Sequence, residues 1–198
     1  MKTPFHFRSA FSLLELLVVV GVLAVMAAAG AVALGGGSRS LQGASSAMSS
    51  VFGQARTEAI LRRVPARVIV DTTYNSSQPD NFNRRVAVVV SNDDGTTWTP
   101  VTKWTRLPGN AFYNPVASRA HGQVAISGLP GGASGPFDYF EFGPNGQASV
   151  PRSWIVLSNG VVNGGAFQEV AQENRAGFFI HRMGRPTFFS DPSQIPQS

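Results

Sequence analysis

The stretch RSAFSLLELLVVVGVLAVMAAAG, residues 8–30, decides how the rest of the chain is read. It is almost wholly apolar, yet it holds Glu15. No charged residue follows from Leu16 to Ser38. At about 1.5 Å of rise per residue, a helix over 11–34 is long enough to cross a hydrocarbon core of roughly 30 Å. Lys2 and Arg8 lie before the run, so the positive-inside tendency puts that end in the cytoplasm. The expected topology is one pass through the inner membrane, with the remaining domain outside it in the periplasm. A carboxylate within such a helix costs roughly 2.5–3.5 kcal/mol on insertion scales, so it usually has a partner or a task.

Three readings of this N-terminus compete. A secretory signal peptide would take Lys2 and Arg8 as its basic region and cleave at Ala27-Ala28-Ala29, which releases a β domain. A plain signal anchor would keep the helix. Neither explains Glu15. The third reading is a resemblance. Residues 9–25, SA/FSLLELLVVVGVLAV, resemble the start of type IV prepilins and type II secretion pseudopilins. In that family a short basic leader is cut before a Phe, and a Glu follows as the fifth residue. The match makes 1–10 the leader, Ala10 and Phe11 the cleavage site, and Glu15 the family's glutamate. One position departs, because Ala10 stands where the family has Gly.

The resemblance implies the rest of the site. A prepilin peptidase would cut between Ala10 and Phe11 and methylate the new amine of Phe11. Glu15 would then pair with the N-terminal amine of a neighbouring subunit as helices pack into a filament. The partners implied are that peptidase, other pilin or pseudopilin subunits and the inner membrane. The protein would reside there before it enters the filament.

Beyond the apolar run the chain reads as one soluble domain. GGGS at 35–38 predicts a bend between two helical halves, since each Gly weakens a helix by roughly 1 kcal/mol relative to Ala. Leu41, Ala44, Met48, Val51, Phe52, Ala55 and Ala59 then recur at helical spacing, with Arg56, Glu58 and Arg62 off that face. The helix should stop near Arg63, because Pro65 disfavours a helical residue before it. After Pro65 the period changes to strands: 67–71 (RVIVD), 86–91, 123–127, 139–142, 154–157 and 177–182. Residues 72–83 read as a polar loop. SNDDGTTW at 91–98 carries Asp94-Gly95, a hairpin signal, and fits the Asp-box pattern S-x-D-x-G-x-T-W, a turn-shaping element. Its spacing is not that of an EF-hand. Residues 190–198 are polar, contain proline, and predict a disordered tail.

The fold class expected is therefore α+β. A long N-terminal helix, with a membrane segment at 11–34 and a bend and amphipathic half at 35–64, packs on an antiparallel β domain at 65–189 in the manner of pilins. VFGQARTEAILRR (51–63), YFEFGPNGQAS (139–149) and RAGFFIHRMGRPTFF (175–189) resemble the GspH/FimT-like minor pseudopilins in that family's order.

Composition and motifs narrow the function further. The chain has no Cys, which excludes thiolate catalysis, disulfides and Cys-based zinc sites. No P-loop, HExxH, G-x-S-x-G or dinucleotide fingerprint occurs. His121 and His181 have no partner at a fixed spacing and read as surface or strand histidines. No enzyme activity, metal or cofactor is expected. Nucleic acid is the alternative partner. The net charge is +5, and FimT-like pilins implicated in DNA uptake carry a Gly-Arg-x-Arg end. Here Gly184-Arg185-Pro186-Thr187 lacks the second Arg. Arg175, Arg182 and Arg185 remain as candidate DNA contacts near that end, and Arg62-Arg63 and Arg84-Arg85 form two further basic pairs. The favoured function is a minor pilin or pseudopilin, a structural subunit of a type IV pilus or secretion pseudopilus. The alternatives are a DNA-binding minor pilin and a plain anchored or secreted β domain.

Overall fold

The computed structural model describes residues 16–24, 37–93, 95–131, 133–170, 172 and 174–195. The chain divides into two compact units, Met1–Gly36 and Gly37–Ser198. In the first, residues 16–24 are helical (α1) and exposed. Ala10, Phe11, Glu15, the whole leader and the rest of the expected 11–34 span lie outside the described residues. Among the described residues, no helix is long and apolar enough to cross a membrane.

The second unit opens with α2 (Gly37–Arg62). It begins inside the glycine run, so Gly37 and Ser38 belong to the helix and not to a break before it. All the stripe residues expected to face a core do so: Leu41, Ala44, Met48, Val51, Phe52, Ala55 and Ala59 are buried. Arg63 then takes a left-handed conformation, φ 56°, and Pro65 follows. A residue in that region ends the helical hydrogen-bond ladder, and proline prevents it from resuming.

The helix lies over two antiparallel sheets. In the first sheet the order is β3 (Thr99–Pro100), β2 (Arg85–Val90), β1 (Ala66–Asp71), β7 (Gly135–Phe142), β6 (Gly122–Ile126), with β4 (Thr105–Arg106) also on β2. In the second it is β11 (Pro186–Phe189), β10 (Arg175–Ile180), β8 (Ser153–Asn163), β5 (Ala111–Tyr113), with β9 (Ala166–Glu169) also on β8. Side chains alternate across a strand. Val68, Val70, Val86 and Val88 therefore meet the helix together with Ile155, Leu157, Phe178 and Ile180 of the second sheet. Phe52 stands edge-on to Phe140 and Phe142, with ring centres 5.6 and 5.9 Å away. Such pairs add about 0.5–1.5 kcal/mol beyond area burial. Tyr113 of β5 donates to Asp138 of β7 at 2.8 Å and ties one sheet to the other. Burial, and the adjacent Asp138 carboxylate, push the Tyr113 phenol well above its ordinary pKa.

The structure departs from the sequence reading in several places. The 91–98 hairpin forms, but as an eight-residue loop closed by Val90 opposite Thr99. Asp93 accepts from the Thr97 backbone N–H and hydroxyl, both at 2.7 Å, and Ser91 Oγ accepts from the Gly95 N–H at 2.7 Å. The box thus consumes its own polar groups in shaping a turn. Strand β8 extends far past the expected 154–157 because Gly164 and Gly165, φ 57° and 83°, make a two-residue turn into β9. Both turn positions need positive φ, which glycine adopts without strain. The tail expected to be disordered forms a 3-10 turn at Pro192–Gln194, and Ile195 packs against Trp154, Val156 and Phe189. An apolar residue with a ready cluster outweighs the polar composition around it. Residues 196–198 lie outside the described residues.

Candidate functional site

The outer faces of the two sheets are built differently. On the first, Ile69, Ala87, Val89 and Phe137 are sealed under loops that carry Trp98, Trp104 and Leu129. On the second, Trp154, Val156 and Phe189 form a small cluster beside an open groove of about 1480 Å³. The loop at 114–119, the 151–152 turn, the β8–β9 hairpin and the turn after β10 wall this groove.

Four arginines line it: Arg119, Arg152, Arg175 and Arg182. Arg119 lies over the Trp154 ring at 5.5 Å. The indole is fixed there because its N–H donates to the Ala117 carbonyl at 2.8 Å. Arg152 stands just before β8 with φ 61°, a region that a non-glycine residue rarely adopts. Arg175 makes a two-pronged pair with Glu169 of β9, at 2.7 and 2.6 Å. Burial alone would raise the Glu169 pKa, but bonds from Arg175 and Ser158 and the Arg175 charge hold it below its ordinary value. The hydrogen bonds to Glu169 raise the Arg175 pKa. Among the described residues, no carboxylate forms an ion pair with Arg119, Arg152 or Arg182.

The candidate residues from the sequence fall into four sets. Arg175 and Arg182 line the groove, although β10 separates them by its length of roughly 17 Å, so they are no local cluster. Arg185 lies in the β10–β11 turn and is exposed outside that lining. The basic pairs are largely spent on the fold. Arg62 pairs with Glu58 at 2.6 Å, Arg85 pairs with buried Asp71 at 2.5 Å, and Arg84 donates to the Gly109 carbonyl. Ala10, Phe11 and Glu15 lie outside the described residues.

Sequence reasoning did not find Arg119 or Arg152. Nothing local marks Arg119. Arg152 follows a proline in a turn, and only its backbone conformation sets it apart. Phe167 and Glu169 were within reach, because Asn163-Gly164-Gly165 between apolar segments is a hairpin signal.

His121 is half-buried and belongs to the interior, against the surface or strand position expected from sequence. Its Nδ1 accepts the Glu141 backbone N–H at 2.9 Å, so the neutral ring carries its proton on Nε2 and donates to Ser153 Oγ at 3.0 Å. Burial, with Arg67 assisting and Glu141 opposing, pushes its pKa down to about 4. His181 is exposed and bonds to Thr187 Oγ1 at 2.8 Å. Among the described residues, no group of three or more His, Asp or Glu side chains could hold a metal ion.

No family model matches the chain, and no curated protein matches it. Two crystal structures of the type IV minor pilin FimU of Pseudomonas aeruginosa are similar. One is 14% identical with a TM-score of 0.45, and covers 80% of this chain and 93% of its own. The other is 16% identical with a TM-score of 0.47, and covers 80% of this chain and 98% of its own. At these identities and scores the likeness decides neither fold nor function.

Proposed function

We propose that the chain is a minor subunit of the pilin and pseudopilin class, of the GspH/FimT-like kind, and that its work is assembly. The observation that carries this reading is Glu15, a lone carboxylate in an apolar run, five residues into a segment that begins at Phe11. A prepilin peptidase would cut between Ala10 and Phe11 and methylate the Phe11 amine. The helix would hold the protein in the inner membrane, with the β domain in the periplasm. Glu15 would pair with the amine of a neighbouring subunit. An unpaired charge among apolar helices is costly and pairing offsets part of that cost, so the pair would select the register of packing. The exposed apolar side chains of α1, Leu16 to Leu23, are consistent with a helix whose partners are other helices.

Glu15→Ala tests the reading. The variant should accumulate in membranes at the normal level but be missing from sheared filaments, as measured by immunoblot of both fractions. Normal incorporation would contradict it.

A further inference from the structure

The groove on the second sheet carries positive charge that no carboxylate among the described residues neutralises. Of its four lining arginines, only Arg175 has a carboxylate partner among the described residues. Arg119, Arg152 and Arg182 are exposed. A guanidinium offers a planar fork that suits a carboxylate, and the Glu169–Arg175 pair already shows that geometry inside the groove. Arg152 is held at the rim in a left-handed conformation, which costs energy in a residue other than glycine.

Size and shape narrow the occupant. About 1480 Å³ exceeds the range of roughly 300–1,000 Å³ usual for small-molecule pockets, which favours an extended segment over a metabolite. Duplex DNA fits poorly. Phosphate tracking needs a continuous basic surface, whereas these arginines are divided among the walls of a hollow, and Arg185 and both basic pairs lie outside its lining. Trp154 is only 7% exposed and its N–H is already bonded, so it offers no open ring for a stacked base.

We propose that this groove binds an extended acidic peptide segment, whose carboxylates are received by Arg119, Arg152 and Arg182. The assignment does not rest on the filament reading, and it stands or falls with a binding measurement. The full chain in nonionic-detergent micelles would be titrated into fluorescein-labelled hexaglutamate, hexalysine and a short DNA duplex at one low salt concentration, with anisotropy as the readout. Hexaglutamate should bind and hexalysine should not. Arg119→Ala, Arg152→Gly and Arg182→Ala should each weaken hexaglutamate binding roughly tenfold. Arg152→Gly removes the charge while suiting the left-handed backbone, so an unchanged melting temperature would separate lost binding from lost fold. Failure of hexaglutamate to bind, or binding that these variants leave unchanged, would overturn the proposal. So would a DNA duplex that binds more tightly than hexaglutamate and weakens with the same variants, which would make the groove a phosphate surface.

Discussion

Both sheets set arginines against aromatic rings on their outer faces, and the two faces use them in opposite ways. On the first sheet Arg67 lies between Trp98 and Tyr139, 3.9 Å from each ring centre, and pairs with Glu141 at 2.7 Å. Arg85 lies 4.7 Å from the centre of Trp104 and pairs with Asp71. Each guanidinium has a ring and a carboxylate, and loops close over the face. On the second sheet Arg119 has the Trp154 ring and, among the described residues, no carboxylate partner. The same side-chain pairing holds structure where its charge is neutralised and leaves a recognition surface where it is not.

Substitutions on the two faces should therefore differ in kind. Asp71→Ala removes the partner of a half-buried arginine from a site only 2% exposed, and should cost about 3–5 kcal/mol in urea unfolding. A loss below 1 kcal/mol would erase the distinction between the faces.

His121 lies where the two sheets meet and supplies a second, smaller effect. Its folded pKa of about 4 lies below the ordinary 6.5, so the unfolded chain takes up the proton first as pH falls. Its contribution is therefore complete above about pH 6.5 and is lost between there and about pH 4, by up to roughly 3 kcal/mol. Urea midpoints at both ends of this window should converge in His121→Gln and diverge in the wild type.

Gly184 closes the β10–β11 turn with φ 73°, where an added Cβ would lie 2.1 Å from the Gly146 carbonyl oxygen. Gly184→Ala should cost about 1–2 kcal/mol, measured by thermal melting. The smallest effect belongs to the open face. Arg119→Ala should change stability by less than about 0.5 kcal/mol.

The helix and the two central strands were legible in the sequence because their signals are local. The stripe from Leu41 to Ala59 carries its own period, and 67–71 and 86–91 are runs of β-branched residues that predict β1 and β2 to within one residue. Strand β5 has only three residues and is a strand because β8 pairs with it across more than forty positions of sequence. The groove was legible only in fragments. Its arginines fall at 119, 152, 175 and 182, and sheet topology sets them on separate walls of one groove. Arg175 looked available as a bare sequence position, and it is committed because the β8–β9 turn delivers Glu169 to it.

The assembly reading depends on a cut beside Phe11, and the mass of the mature N-terminal peptide from native membranes tests it most directly. The account predicts a peptide that starts at Phe11 and carries one added methyl group on its amine. A start at Gly30, or an intact Met1, would contradict it.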